Sequence, residues 1–310
     1  MSALREGHEV VTLGECMAVM FPVEPLSMDC VSTLKLDIAG AESNTAIGLS
    51  RLGHRARFIS RVGNDSLGQR VRATLAAEGV DTTHLMTDQE AQTGVFFREW
   101  LPDGARRVLY YRRGSAASKL APEHLEPEAF EGARILHLTG ITPALSETCA
   151  AAVKRAIHLA HAAGALVSFD PNYRAPLWSP EEARKVLLPL MAQADILLMG
   201  HEDALAVLGT DDEEEVLRPH AEFQARVIVL KQAERGASAW SAASAKRIAV
   251  PASPVAEVID PVGAGDAFNA GFLAGWLRDY GLENALRLGA EEGARLVAQT
   301  GDYIHTHDSQ

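Results

Sequence analysis

The sequence is poor in several features that would each mark a class of protein. Among its 310 residues are three cysteines, Cys16, Cys30 and Cys149, with no CxxC pair. This argues against a disulfide framework and a cysteine zinc site, and is typical of a reducing compartment. No run approaches the ~20 apolar residues of a membrane helix, and the start, MSALREGHEVV, lacks the segments of a signal peptide. We therefore expect a cytoplasmic protein with no membrane partner.

Positive charge is also scarce. Lysine and arginine number 29 against 41 aspartates and glutamates, which gives a net charge of −12, and no basic cluster interrupts the sequence. Nucleic acid is a poor partner for such a chain. An anionic ligand would need individually placed cations, so single arginines become informative. The 47% hydrophobic fraction is ordinary for a globular protein.

Short strand-like runs alternate with longer helical runs along most of the chain. The strand-like runs are 9–15, 56–63, 133–140, 165–172, 194–200 and 225–231, and the helical runs are 43–53, 66–80, 146–163 and 180–193. Such alternation predicts a mostly parallel sheet covered on both faces. With the right-handed crossover rule, it favours a doubly wound α/β fold.

Two regions depart from this alternation, at about 16–38 and 92–113. The second contains GVFFREWL and RRVLYYRR, separated by PDGA, which predicts a hairpin with Asp103-Gly104 at the turn. We interpret both regions as insertions that form a small β-sheet lid on a single domain spanning 1–310. The acidic run at 211–215 is interpreted as an exposed helix start, which the helix dipole favours.

The stretch DPVGAGDAF, 260–268, is the strongest chemical motif. VAEVI before it is predicted as a strand, and AFNAGFLAGWL after it has the pattern of a helix. Free N–H groups at a helix start attract phosphate. The loop is neither GxxxxGK[ST] nor GxGxxG, because no Gly-Lys pair occurs and Phe268 occupies the third glycine position.

Asp266 lies in the first turn of the helix that this loop opens. Its carboxylate could accept a proton from a hydroxyl while the backbone of Gly263, Ala264 and Gly265 forms an anion hole. These are the parts that phosphoryl transfer to an alcohol requires. The alternative at this point is a glycine turn followed by an ordinary first-turn acid.

The motifs AGAESNTAIGLSRLG (39–53), VGNDSLG (62–68) and DPVGAGD (260–266) together resemble the PfkB (ribokinase-like) family of sugar kinases. The resemblance runs from Gly14 to about Gly301. It implies a doubly wound, mostly parallel sheet with a lid that closes over the sugar and often forms dimers. It further implies ATP and Mg²⁺ as cofactors, Asp266 as the catalytic base, and Gly40 and Asn44 as contacts to the sugar.

A sugar acid needs a cation that a neutral hexose does not. The pieces GAESN, YYRRGSA, HLTGITPAL and DPNYRAPLW are similar to the branch of the family that phosphorylates 2-keto-3-deoxygluconate. That similarity implies substrate binding by Arg112 and Arg174, a hydrogen bond from Tyr110, and a lid contact from Phe96. The alternative for each arginine is a surface ion pair, and Arg174 could instead reach the ATP phosphates.

The nucleotide side departs from the family pattern. VIVLKQAERGAS (227–238) corresponds to the stretch K-x-G-x-x-G, but Ala233 replaces the first glycine. If that turn needs a positive φ, alanine costs on the order of 1 kcal/mol. The N-x-x-E element appears as Gly200 to Asp203, so we expect Mg²⁺ to be held mostly through water and ATP and assign no metal ligand. The resemblance implies ATP contacts from Asn172, Lys231, Gly236, Gly263 and Gly265.

The sequence thus predicts an ATP-dependent kinase that acts on 2-keto-3-deoxygluconate and forms homo-oligomers through the lid. Another specificity of the same family, such as fructose or a nucleoside, is the nearest alternative. A catalytically silent sugar-acid sensor is a second. An NAD-linked oxidoreductase is a distant third, because the glycine fingerprint is absent after the first strand.

Overall fold

The computed structural model describes residues 8–24, 26–101, 106–218, 220 and 222–304. The strands are β1 (Val10–Leu13), β2 (Met17–Pro22), β3 (Leu34–Ala39), β4 (Ala56–Gly63), β5 (Leu85–Asp88), β6 (Val95–Trp100), β7 (Arg106–Tyr111), β8 (Ile135–Thr139), β9 (Leu166–Asp170), β10 (Ile196–Gly200), β11 (Val227–Lys231), β12 (Ala237–Ser241) and β13 (Lys246–Val250). The helices are α1 (Ala41–Arg51), α2 (Ser66–Ala77), α3 (Ile141–Leu145), α4 (Glu147–Ala162), α5 (Pro180–Met191), α6 (His201–Leu208), α7 (Glu213–Val216), α8 (Ala264–Leu277) and α9 (Leu282–Val297).

Within these ranges the main sheet has nine strands, in the order β13-β12-β11-β10-β9-β8-β1-β4-β5. Every neighbouring pair from β11 to β5 is parallel, and β12 and β13 continue the sheet antiparallel. The central strands are apolar along nearly their whole length, as VVTL in β1 illustrates, because both of their faces are covered.

Helices cover both faces of this sheet. On one face α4, α5 and α6 pack in a core that includes Leu136 and Phe169. On the other face α1, α2, α8 and α9 pack in a core that includes Phe58, Ile135 and Phe272. The predicted doubly wound α/β class is confirmed. The acidic run also lies at a helix start, since Asp212 caps α7.

The second sheet has the order β3-β2-β6-β7, and its strands come from the two regions that break the alternation. β6 and β7 are antiparallel, with Val95 opposite Tyr111, as the hairpin prediction requires. The predicted turn at Asp103-Gly104 lies outside the described residues. A small apolar cluster forms the core of this sheet, from Met17, Val19, Phe21, Ala39 and Phe96. The role of this sheet as a lid and the single-domain boundaries stay predictions.

Two local predictions were wrong. VAEVI, 255–259, forms no strand. Val258 and Ile259 are exposed, and Pro254 just before the segment lacks the N–H that a central strand would use. The helix predicted to start at residue 43 starts two residues earlier, at Ala41, and the Ser43 hydroxyl donates to the carbonyl of Gly40, the N-cap residue. No helix in the described ranges is long and apolar enough to cross a membrane.

Candidate active site

The glycine loop adopts the backbone that a phosphate cradle requires. Gly263 precedes α8 with φ 85°, and a Cβ there would lie 2.4 Å from the Asp302 carbonyl oxygen, so only glycine fits. The Ala264 N–H donates to the Pro261 carbonyl at 3.2 Å. Helix geometry leaves the Gly265 and Asp266 amides without intrahelical acceptors. The predicted anion hole therefore has fewer free N–H donors than expected, because the Ala264 N–H is already hydrogen-bonded.

Asp266 is a buried carboxyl in the first turn of α8. Burial raises its pKa to about 7, against the lowering effects of the Asn44 hydrogen bond and the Arg174 charge. The Asn44 side chain donates to Oδ2 of Asp266 at 2.9 Å. A carboxyl that titrates near neutral pH is suited to accept a proton during a reaction.

The start of α1 holds Asn44 in place. Its Oδ1 accepts from the Gly40 N–H at 3.3 Å, while its Nδ2 donates to Asp266. A Cβ on Gly40 would lie 2.0 Å from the Glu15 carbonyl oxygen, so the segment after β1 passes directly against this turn. Three predicted site residues, Gly40, Asn44 and Asp266, are therefore in one hydrogen-bonded group.

Arg112 points inward from the small sheet and pairs with Glu15. Its Nε donates to Oε2 of Glu15 at 2.7 Å, and its Nη2 contacts the same oxygen. The Ser115 hydroxyl donates to the other oxygen at 2.5 Å. The Arg112 side chain is 10% exposed, so the surface ion pair is excluded. Its Nε and Nη2 are already bonded to Glu15, which leaves part of the guanidinium for a substrate.

Two aromatic residues of the small sheet accompany Arg112. Its guanidinium carbon lies 5.5 Å from the centre of the Tyr110 ring. The Tyr110 and Phe96 ring centres are 5.6 Å apart. Tyr110 is 41% exposed but Phe96 only 6%. The Phe96 side chain therefore lies in the core of the small sheet, and little of it is exposed.

Arg174 differs from Arg112 in its surroundings. It is exposed, in the segment that follows β9. It makes no ion pair within the part of the chain that the structure describes, yet its charge lowers the pKa of Asp266 against the larger effect of burial. Arg174 is therefore an exposed cation whose charge favours ionisation of the candidate base.

Lys231, at the end of β11, lies near Gly265 of the glycine loop. Its ammonium donates to Oδ2 of Asp170 at 2.6 Å and to Oδ1 of Asn269 at 3.2 Å. A Cβ on Gly265 would lie 3.5 Å from this ammonium, so its charge faces the loop. Burial opposes ionisation of Asp170, but Lys231 and Asn269 outweigh it and lower its pKa.

The remaining predicted nucleotide contacts lie at the same edge of the sheet. Asn172, with φ 39°, donates its N–H to Oδ1 of Asp170 at 3.0 Å. Gly236 and Ala233 follow β11 with φ 97° and 50°, so the turn does impose a positive φ on alanine. Asp203 accepts from the N–H groups of Tyr173, at 2.7 Å, and Gly200, at 2.8 Å.

Burial, followed by the nearby Asp170 carboxylate, raises the pKa of Asp203 to about 6. The shortened acid therefore anchors two backbone segments at the sheet edge, one of them the start of α6. No group of three or more His, Cys, Asp or Glu side chains suited to a metal exists among the described residues.

Sequence reasoning missed Glu15, Asp170 and Asn269 as site residues. Glu15 and Asp170 had a usable signal, because each lies near the carboxyl end of a predicted parallel strand, where ligands bind in such sheets. Asn269 had none, since one polar residue within the apolar helix α8 gives no hint of a partner 99 positions away.

The comparisons with known proteins agree with this geometry. The model of the pfkB family carbohydrate kinases matches residues 8–308. The chain belongs to the pfkB family of carbohydrate kinases. It is 35% identical to the 2-dehydro-3-deoxygluconokinase of Bacillus subtilis, over 95% of this chain and 91% of that protein. It is 33% identical to the enzyme of the same name from Thermoproteus tenax, over 94% and 89%. The 2-dehydro-3-deoxygalactonokinase of Haloferax volcanii is 33% identical, over 95% and 92%.

Solved structures give the same result for the fold of this kinase. The 2-dehydro-3-deoxygluconokinase of Thermotoga maritima superposes with a TM-score of 0.84 at 28% identity, covering 95% of each chain. A candidate ribokinase II from E. coli, in complex with ATP and Mg²⁺, has a TM-score of 0.82 at 27% identity, covering 95% of this chain and 94% of the other.

Proposed function

We propose that this kinase transfers the γ-phosphoryl group of ATP to the 6-hydroxyl of 2-keto-3-deoxygluconate. The observation that carries the reaction is the Asp266 carboxyl, which is buried in the first turn of the helix that the glycine loop opens and has a pKa of about 7. The observation that favours an acidic sugar is the presence of two arginines, Arg112, which is held inward by Glu15, and Arg174, which is exposed and acts electrostatically on Asp266. The two relatives named 2-dehydro-3-deoxygluconokinase support this choice of substrate.

Asp266 acts as the general base. As the sugar O6 forms its bond to the γ-phosphorus, the bond to the β–γ bridging oxygen breaks and ADP leaves. The proton of the hydroxyl passes to the Asp266 carboxylate and later to solvent. Asn44 holds this carboxylate in place through its 2.9 Å hydrogen bond, and general-base catalysis of this kind contributes roughly 10²–10⁴-fold.

The transferred phosphoryl group is stabilised by the Gly265 and Asp266 amides and by the Lys231 ammonium. The backbone at Gly263 shapes this cradle. Asn172 and Gly236 remain proposed contacts to ATP from the neighbouring strand ends. Arg174, whose charge acts on Asp266, could serve either the phosphates or the sugar acid.

This edge of the sheet offers few ligands for a divalent ion, because the four carboxylate oxygens of Asp170 and Asp203 already accept hydrogen bonds. We therefore propose that Mg²⁺ is held mostly through water and the ATP phosphates. Magnesium in kinases is bound by one or two carboxylates together with waters and substrate phosphates, which agrees with the small number of acids here. When bound, Mg²⁺ would supply positive charge to the phosphates.

The sugar-acid end depends on Arg112. The unbonded part of its guanidinium would hold the substrate carboxylate, with Tyr110 beside it and Gly40 and Asn44 near the hydroxyls. Glu15 and Ser115 fix the orientation of Arg112, so less conformational entropy is lost when the substrate binds. Closure of the small sheet as a lid would exclude water and limit wasteful ATP hydrolysis.

A substrate panel tests the specificity. ADP release is measured with 2-keto-3-deoxygluconate, its galactonate epimer, fructose and a nucleoside. We expect kcat/KM to be highest for the two acids and lowest for fructose and the nucleoside. Preference for fructose or the nucleoside would overturn the assignment in favour of another family specificity. Tight binding of the acid without ADP release would instead support a silent sensor.

We also propose that the protein forms a homo-oligomer through the exposed side of the small sheet, where Val23 and Tyr111 are the most exposed large apolar residues. Light scattering of wild type and Tyr111→Ser tests this. A lower molar mass for the variant than for wild type supports the interface, and a monomeric wild type contradicts it.

The three cysteines of the protein are unpaired, which favours the reducing cytoplasm as its location.

A further inference from the structure

A buried arginine joins the small sheet to the phosphate loop. Arg98 lies on β6, and its side chain is 4% exposed. Its Nη2 is 3.3 Å from Oδ2 of Asp260, and its Nη1 is 3.3 Å from each oxygen of Asp302. The guanidinium also lies over the Phe21 ring, 4.9 Å from its centre.

Both carboxylates support the loop that forms the anion hole. Asp260 is its first residue, and Oδ1 of Asp260 accepts from the Val262 N–H at 3.1 Å. Asp302 supports the loop from the other side, because its carbonyl oxygen lies against Gly263, 2.4 Å from where a Cβ would be. A shift of either aspartate would therefore move the Gly263–Gly265 backbone.

The other end of the arginine belongs to the sheet that approaches the sugar. Side chains alternate along a strand, so Arg98 and Phe96 lie on the same face of β6. Phe96 in turn contacts Tyr110, next to Arg112. Arg98 thus connects the face of β6 that carries Phe96 with the two aspartates that support the loop.

We propose that Arg98 is a positioning residue, which transmits the position of the small sheet to the anion-hole loop through Asp260 and Asp302. This inference rests on the proposed function only in that the loop amides bind the transferred phosphoryl group. Arg98 affects the rate by setting where these amides lie, and leaves the sugar contacts unchanged.

The charges around Asp302 make Arg98 difficult to replace. Burial raises the pKa of Asp302 to about 6, Arg98 lowers it, and the Asp260 and Asp37 carboxylates raise it further. Removal of Arg98 would leave buried acidic groups close together without this cation. Part of any effect would therefore come from stability alone, and the experiment must separate the two.

Arg98→Met is compared with Arg107→Met. Arg107 is the control, since it also comes from the small sheet and also pairs with a buried carboxylate, Glu99, at 2.5 Å, but no contact joins it to the loop within the part of the chain that the structure describes. We expect Arg98→Met to lower kcat on the order of 100-fold, as displacement of catalytic groups by about 1 Å does, with the sugar KM changed less than about threefold. Arg107→Met should retain wild-type kcat.

A double variant, Arg98→Met/Asp302→Asn, separates positioning from stability. Removing one acid together with the arginine should recover most of the melting temperature lost in Arg98→Met, while kcat stays low. Recovery of kcat along with the melting temperature would overturn the inference, as would an equal loss in Arg107→Met. The ratios of variant kcat to wild-type kcat are measured with whichever sugar the wild type phosphorylates fastest. A wrong sugar assignment would therefore leave these ratios interpretable.

Discussion

The two ends of the candidate site are built differently. The end that we propose to bind phosphate, called the phosphate end, consists of backbone amides at the start of α8 and of hydrogen-bonded side chains inside the fold, such as Asp170, Lys231 and Asn269. The end that we propose to bind the sugar acid, called the arginine end, has two arginines, one already paired with Glu15 and one exposed. The first arrangement has little freedom to change, whereas the second can be altered by a few substitutions.

This difference explains what each end specifies. Phosphoryl transfer needs charge stabilisation at fixed positions, and a helix start with glycine at a positive φ provides it. Sugar choice needs only a few hydrogen bonds and charges, which can change without loss of the fold. We infer that the phosphate end defines the reaction and the arginine end selects the substrate.

The largest expected effect is at the phosphate end. Asp266→Asn should lower kcat by about 10²–10⁴-fold, because the base is lost, while the sugar KM changes little since the amide can still accept from Asn44. Steady-state ADP release measures both. Asp212→Asn, at an exposed helix cap, is the control and should have wild-type kinetics. Wild-type turnover in Asp266→Asn would remove the base assignment.

The second effect compares a buried ion pair with an exposed one. Lys231→Met leaves Asp170 buried without its cation and should reduce the free energy of unfolding by about 3–5 kcal/mol. Lys185→Met removes an exposed i,i+4 pair with Glu181 and should cost about 0.3–0.5 kcal/mol. Urea unfolding gives both values. Equal losses would mean that the buried pair of Lys231 and Asp170 stabilises the fold no more than an exposed ion pair does.

A third prediction concerns the arginine end. Arg112→Ala should raise the KM for the sugar acid by about 10–150-fold, the equivalent of the ~1.5–3 kcal/mol of a charged hydrogen bond. Turnover at saturation should change much less. The exposed neighbour Arg113 supplies the control, and Arg113→Ala should bind the acid like wild type. If both variants behave alike, Arg112 does not hold the carboxylate.

The smallest effect should come from the strained turn after β11. Ala233 has φ 50°, so Ala233→Gly should relieve up to ~1 kcal/mol of strain, partly offset by the greater entropy of glycine in the unfolded chain. Thermal unfolding measures the net change. A clear loss of stability would show that the alanine methyl group contributes more through packing than its backbone costs.

Much of the fold was predictable, because strand and helix periods and glycine positions are local properties. The start of a helix at this loop, with Asp266 in its first turn, followed from the local sequence DPVGAGDAF. The false strand at 255–259 shows the limit, since an apolar run needs a neighbouring strand that a local pattern cannot supply. The pairing of Arg112 with Glu15 was also missed, because the two residues are 97 positions apart.

The most direct test is the pH dependence of kcat/KM for the sugar acid. Asp266 must be ionised to accept a proton, and burial raises its pKa to about 7. Below about pH 7, kcat/KM should therefore fall about tenfold per pH unit, as expected when one group must be ionised, and it should level off above pH 7. The residual activity of Asp266→Asn should lack this dependence on pH. A wild-type profile that is flat from pH 5 to 8, or an identical step in the variant, would contradict the assignment of Asp266 as the base.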